Sequence, residues 1–188
     1  MVIKTNRQRV NRALQFANSS NIFFGIGKTT PWEPDDYLDP NKVPSDPESY
    51  PPDPDPSASE LKETIGFKKA EKIYFVVPYN GQALKPSDIV IDYVSTKWLV
   101  VPQETALQDF VNHVYIETNI YSADLPLGEY RQIGVFTGLT PSEDVPDGKI
   151  VLLPTEVSDV GVLEVLDNRQ KTTRLENSKE TLSYILKF

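Results

Sequence analysis

Hydrophobic and polar positions alternate through most of the chain with the period of strands. Ile73 to Val77 form an apolar run closed by Pro78 and the Asn80-Gly81 turn. Ile89 to Val94 and Trp98 to Val101 come next, the latter stopped by Pro102. Val114, Ile116, Thr118 and Ile120 alternate with His113, Tyr115, Glu117 and Asn119, which predicts a long half-buried strand. Beyond the turn at Asp124 to Gly128, strands are predicted over Tyr130 to Phe136, Ile150 to Leu153 and Val157 to Leu166, the last ended by Asp167-Asn168. Leu182, Tyr184, Leu186 and Phe188 alternate to the last residue. Strands at this spacing, separated by turn residues, predict an antiparallel β-sandwich-like domain.

The first 60 residues read differently. Thr5 or Asn6 can cap a helix, because a side-chain oxygen there accepts an otherwise unpaired backbone N–H. Val10, Ala13, Leu14 and Ala17 then form one narrow apolar stripe, and Asn18 to Asn21 stop it. A stripe so thin needs a partner surface. Ile22 to Gly27 is short and apolar, as for a buried strand.

Proline dominates the next segment. Nine of the 16 prolines lie between Pro31 and Pro56, and Glu33 to Glu60 hold nine acids against one base, Lys42. Proline lacks a backbone donor and fixes φ, so neither a helix nor a central strand can run here. With little apolar surface to offset ordering, the expectation is a long, extended, solvated arm. The chain thus reads as residues 1–60, with helix, short strand and arm, then a β domain over residues 61–188.

Charge sharpens the picture. The formal net charge is -8, yet residues 1–30 contain five bases and no acid. The acid excess argues against general nucleic-acid binding, which needs clustered Lys and Arg. Cysteine is absent and His113 is the lone histidine, which removes thiol chemistry and His–His zinc motifs. No apolar run is long enough for a membrane helix, and no signal peptide is expected.

Candidate chemistry is thin. Gly25-Ile26-Gly27-Lys28-Thr29 invites a phosphate-loop reading, but Ile22 stands where that motif needs glycine, and Pro31 and Pro34 oppose the helix it must feed. The carboxylate pairs Asp35-Asp36, Asp53 with Asp55 and Glu143-Asp144 sit in turn or proline-rich segments where solvent keeps them ionised. No Asp-x-Asp-x-Asp-Gly calcium loop occurs. His113 reads as a structural strand residue. No catalytic, cofactor-binding or metal-binding residue is therefore assigned.

Three stretches, in this order, resemble the baseplate wedge proteins of contractile-tailed bacteriophages. They are Phe23 to Trp32 with its acidic proline-rich continuation, Gly128 to Phe136, and Gly161 to Gln170 with Thr173-Arg174 and the closing strand. The chain is short beside the larger, two-part wedge proteins, and Val135-Phe136 stands where Leu-Tyr is commoner. The resemblance implies a non-enzymatic virion protein of the tail baseplate, assembled in the host cytoplasm. It would bridge neighbouring subunits and help couple their rearrangement to sheath contraction.

The partners so implied are other tail and baseplate proteins and further copies of the chain, with no nucleic acid and no membrane insertion. Partner contact is expected from Arg7, Arg9 and Arg12 on the helix, Lys28 and Trp32 at the arm root, and Arg169 and Arg174. Trp32 is equally suited to anchoring the core, and Arg174 to pairing within the fold. The alternative is a tail-fibre adaptor or host-glycan binder, with Tyr37, Tyr50 and Tyr79 as a carbohydrate platform.

Overall fold

A computed structural model describes residues 3–188. The fold is mainly β, built of antiparallel sheets with one N-terminal helix, the class that the alternation predicts. In chain order the elements are helix α1 (Asn6–Ala17), strands β1 (Phe23–Gly27), β2 (Gly66–Lys69), β3 (Lys72–Pro78), β4 (Val90–Tyr93) and β5 (Thr96–Val101), and helix α2 (Gln103–Gln108). Then come strands β6 (His113–Tyr121), β7 (Gly128–Thr137), β8 (Thr140–Pro141), β9 (Val151–Leu152), β10 (Val157–Asp159), β11 (Val162–Arg174) and β12 (Lys179–Lys187). One sheet has the order β11-β7-β1-β2-β9, another β12-β6-β3-β5-β4, and β8 pairs with β10.

The chain forms two compact units, both assembled from separated segments. The first holds the chain up to Ser19, Glu71–Glu117 and Ser183–Phe188; the second holds Ser20–Ala70 and Thr118–Leu182.

In the first unit, Thr5 caps α1 by accepting the Gln8 N–H, as its position predicts. The helix lies against β3 and buries Val10, Ala13 and Phe16, while Leu14 and Ala17 of the predicted stripe are only half-buried, so the helix finds a partner surface within the unit through a face that includes Phe16. The Phe16 ring meets that of Phe188, 5.2 Å between centroids. His113 packs near Trp98, and burial, then the Lys187 charge, lowers its pKa, so it is neutral at pH 7. A neutral, packed imidazole fits the structural reading of this residue.

In the second unit, β1 is buried at every residue because it lies between β2 and β7. Phe23, Leu61, Phe67, Phe136, Leu139 and Leu152 form its core, with Phe67 and Phe136 in an edge-to-face contact.

The expected long solvated arm is not what forms. Residues 31–60 contain no strand and only two short 3-10 turns, as proline requires, but they lie on their own unit as a strap. The physical reason is that the unit offers side-chain donors to carbonyls of the proline-rich chain, among them Asn168 to Pro52 and Gln170 to Ser49.

The β4–β5 hairpin carries a local misfit. Its two-residue turn places Val94 and Ser95 at φ 42 and 65. Such a turn favours Asn-Gly, and a β-branched residue there is strained. Val94 is also 79% exposed, so its side chain gains little by packing. Val94→Asn is therefore expected to stabilise the protein by about 1 kcal/mol, read as a rise in the urea midpoint.

Candidate interaction site

The strap starts where β1 ends. Gly27 must be glycine because an added Cβ would sit 2.5 Å from the Lys62 carbonyl oxygen. That close approach lets the Lys28 N–H donate to the same carbonyl at 2.6 Å, and the Ile65 N–H to the Ile26 carbonyl at 2.8 Å. Residues 62–65 are thereby stitched alongside the strand end.

Lys28 then turns inward at φ 57. Its side chain is only 5% exposed, and Nζ meets Asp36 Oδ2 at 3.2 Å and Glu63 Oε1 at 3.3 Å. Nζ also donates to Thr30 Oγ1 and lies over the Trp32 ring. A buried ammonium is tolerable only with such compensation. The amine that a phosphate-loop reading would aim at a nucleotide is held by two carboxylates.

Glu63 is the hub. It accepts from the Thr29 N–H and hydroxyl, the Thr30 N–H and hydroxyl, and Lys28 Nζ. Burial alone would raise its pKa, but these donors outweigh burial and hold the carboxyl far below its usual range. Asp36 obeys the same logic: burial is outweighed by Lys62, the Glu33 N–H and Lys28, and its pKa is lowered.

A second clamp sits on β7. Arg131, 1% exposed, donates from Nε to both Glu48 oxygens at 2.8 and 3.0 Å, from Nη1 to the Thr29 carbonyl and from Nη2 to Glu129. Glu48 also accepts the Trp32 N–H at 3.3 Å.

Further along, the body supplies the donors that proline lacks. Asn168 Nδ2 reaches the Pro52 carbonyl at 3.0 Å and Gln170 Nε2 the Ser49 carbonyl at 2.9 Å. Gln132 orients Asn168 through a 2.8 Å bond and accepts the Lys62 N–H with its other end. Trp32 is buried, and its indole N–H donates to the Arg169 carbonyl.

The residues expected to meet partners thus divide. Lys28, Trp32 and Arg174 are buried inside the second unit. Arg174 donates to the carbonyls of Leu125, Pro126 and Tyr121, which fixes the β6–β7 turn. Arg169 is half-buried and pairs with Asp167. Arg7 and Arg12 are exposed on α1, with Arg9 partly so.

Four residues of the clamps escape the sequence reading: Glu48, Glu63, Arg131 and Gln132. Arg131-Gln132 inside an otherwise apolar strand is the available signal, since polar side chains on a central strand need buried partners. Of the proposed carbohydrate platform, the Tyr37 and Tyr79 hydroxyls donate to the Tyr50 and Gln82 carbonyls, while Tyr50 is 67% exposed. Among the described residues, no group of three His, Asp or Glu is placed to hold a metal ion, and no helix is long and apolar enough to cross a membrane.

A sheet body with a clamped acidic strap and an exposed basic helix has the features of an assembly protein, and comparison with known proteins agrees. The chain matches the model of the baseplate wedge 3 tail fiber network component over residues 1–188, and it belongs to that family. It is also 35% identical over 179 residues to Virion protein 3 of Enterococcus phage phiEF24C, covering 93% of this chain and 88% of that protein. It is accordingly a structural protein of the phage virion, located in the tail baseplate.

The clamps predict acid sensitivity. Glu63 and Asp36 have folded pKa values below their ordinary 4.5 and 3.8. Between folded and unfolded values the unfolded chain binds more protons, so this stabilisation is complete above pH about 5 and is lost as pH falls through the folded values. Glu63→Gln should cost roughly 1–2 kcal/mol at pH 7, the lower end reflecting solvent screening of its outer edge. It should also flatten the fall in stability below pH about 5, measured by urea unfolding across pH. Arg131→Met should leave Glu48 without its cation and loosen the strap, seen as faster hydrogen exchange over residues 46–52.

Proposed function

We propose that this chain is a non-enzymatic wedge subunit that bridges neighbouring baseplate proteins and helps couple baseplate rearrangement to sheath contraction. One observation carries the reading: an acid-rich strap is held on a β body by buried clamps, while the same chain exposes a basic helix. Opposite charges on the helix and on the strap let one chain hold different neighbours, and they speed encounter and set register. A strap already ordered on its own body loses less entropy when it binds. Exposed charge contacts are individually weak, so they can exchange as a baseplate changes state.

None of the carboxylates with a shifted pKa is set up as a general acid. Asp36, Asp39, Asp46, Asp55, Glu63, Glu129 and Glu156 all have pKa values lowered from the ordinary range. A general acid at neutral pH needs a raised one. The second reading, a tail-fibre adaptor, is favoured by the tail fiber network in the family's description. The two are compatible if one neighbour is a fibre protein.

Cross-linking mass spectrometry on intact particles tests this. Lys4 on the approach to α1 and Lys42 on the strap are both exposed. They should link to at least two different tail proteins, and the set should differ between extended and contracted particles. Links confined to this chain would defeat the bridging role; an unchanged set would defeat the coupling role.

A further inference from the structure

A groove of about 270 Å³ in the first unit is lined by Arg7, Val10, Asn11, Leu107 and Phe110. Val10 is 2% exposed and forms its floor, while Leu107 and Phe110 are 47% and 51% exposed. Phe110 occupies an unusual position. It comes directly after the C-cap Asp109 of α2 at φ 56, with the Val111 N–H returning to the Ala106 carbonyl at 2.9 Å. That is the Schellman ending, where glycine is usual because a side chain is strained. A large aromatic ring is therefore held half in solvent at a conformational cost, on the lip of a groove floored by Val10 and edged by Arg7 and Asn11.

The charge beside the groove is also unfavourable as it stands. Helix α1 contains no acid, and Arg7, which lines the groove, lies near its N-terminus, where the helix dipole disfavours a cation. An occupant with an apolar side chain beside a carboxylate would cover the exposed ring and offset the Arg7 charge. The strap has that composition. Leu38 is 60% exposed, with Asp35 and Asp39 close in sequence.

We infer that this groove receives Leu38 of a second copy of the chain, with Asp35 of that copy meeting Arg7. The inference rests on the assembly role proposed for the chain and names one of its partners. The contact is heterologous, groove to strap, so each copy keeps a complementary surface for the next. One side chain in one groove is a small interface, so the isolated contact should be weak, with Kd on the order of 10 µM.

Sedimentation velocity of the full chain tests it, with thermal unfolding run on each variant. The wild type should associate as concentration rises toward roughly 100 µM. Phe110→Asp and Leu38→Asp should each weaken association roughly tenfold or more. An equimolar mixture of the two variants should recover it, because one brings an intact strap and the other an intact groove.

Phe110→Gly separates binding from folding. It should lose association while its melting temperature stays equal or rises, since glycine relieves the strained backbone. A wild type that stays monomeric overturns the inference, as does a single variant that associates normally or a mixture that recovers nothing. Those outcomes would leave any cross-links to other tail proteins standing, so the broader role would survive them.

Discussion

The strap's path depends on two buried cations finding partners. Lys28 turns inward because Asp36, Glu63 and Thr30 receive it, and Arg131 is tolerated on a central strand because Glu48, Glu129 and the Thr29 carbonyl receive it. Such pairs add little net stability, since desolvation offsets most of the attraction. Their effect is to make any other strap path costly, because a displaced strap would strand a cation in the protein interior. A proline-rich segment with few apolar side chains gains one conformation in this way.

That constraint shapes what the surface presents. A free polyacidic arm would offer its charges as a fluctuating cloud. Held at Trp32, Glu48, Ser49 and Pro52, the strap offers them in a set order, with Leu38 and Tyr50 standing out from it. Preorganised charge favours register over raw affinity, which suits a protein that must take one place among many similar neighbours. The basic face of α1 is the chemical complement of such a strap.

Much of the architecture is legible because strand period and turn chemistry are local properties. In β6 the alternating Val114, Ile116, Thr118 and Ile120 are all buried as their period predicts, though Tyr115 on the other face is buried as well. What escapes is decided by distant partners. Strand β2 begins with glycine and ends in two lysines, an unpromising strand, yet it pairs with β1, and Asp124 receives Lys68. Helix α2 has six residues and buries only Ala106, too little for a period to show. Strand β11 runs past Asp167-Asn168 to Arg174. Asn168 reads as a terminator by itself, but here its amide accepts from Gln132 and donates to the strap carbonyl of Pro52.

The sequence by itself determined the β class, the capped N-terminal helix, the absence of strands and long helices between Pro31 and Pro56, and the family, because each of these depends on local pattern or on ordered motifs. Tertiary structure alone decided where the strap lies and which cations remain outside. Lys28 suits a surface role by residue type and position, and Trp32 and Arg174 suit either a surface or an internal one; all three are buried because their partners arrive from residues 36, 63, 169, 121 and 125. Arg7 and Arg12 stay at the surface because α1 turns Val10, Ala13 and Phe16 inward. Pairing between residues so far apart leaves no periodic trace in the chain, since it depends on the fold that brings them together.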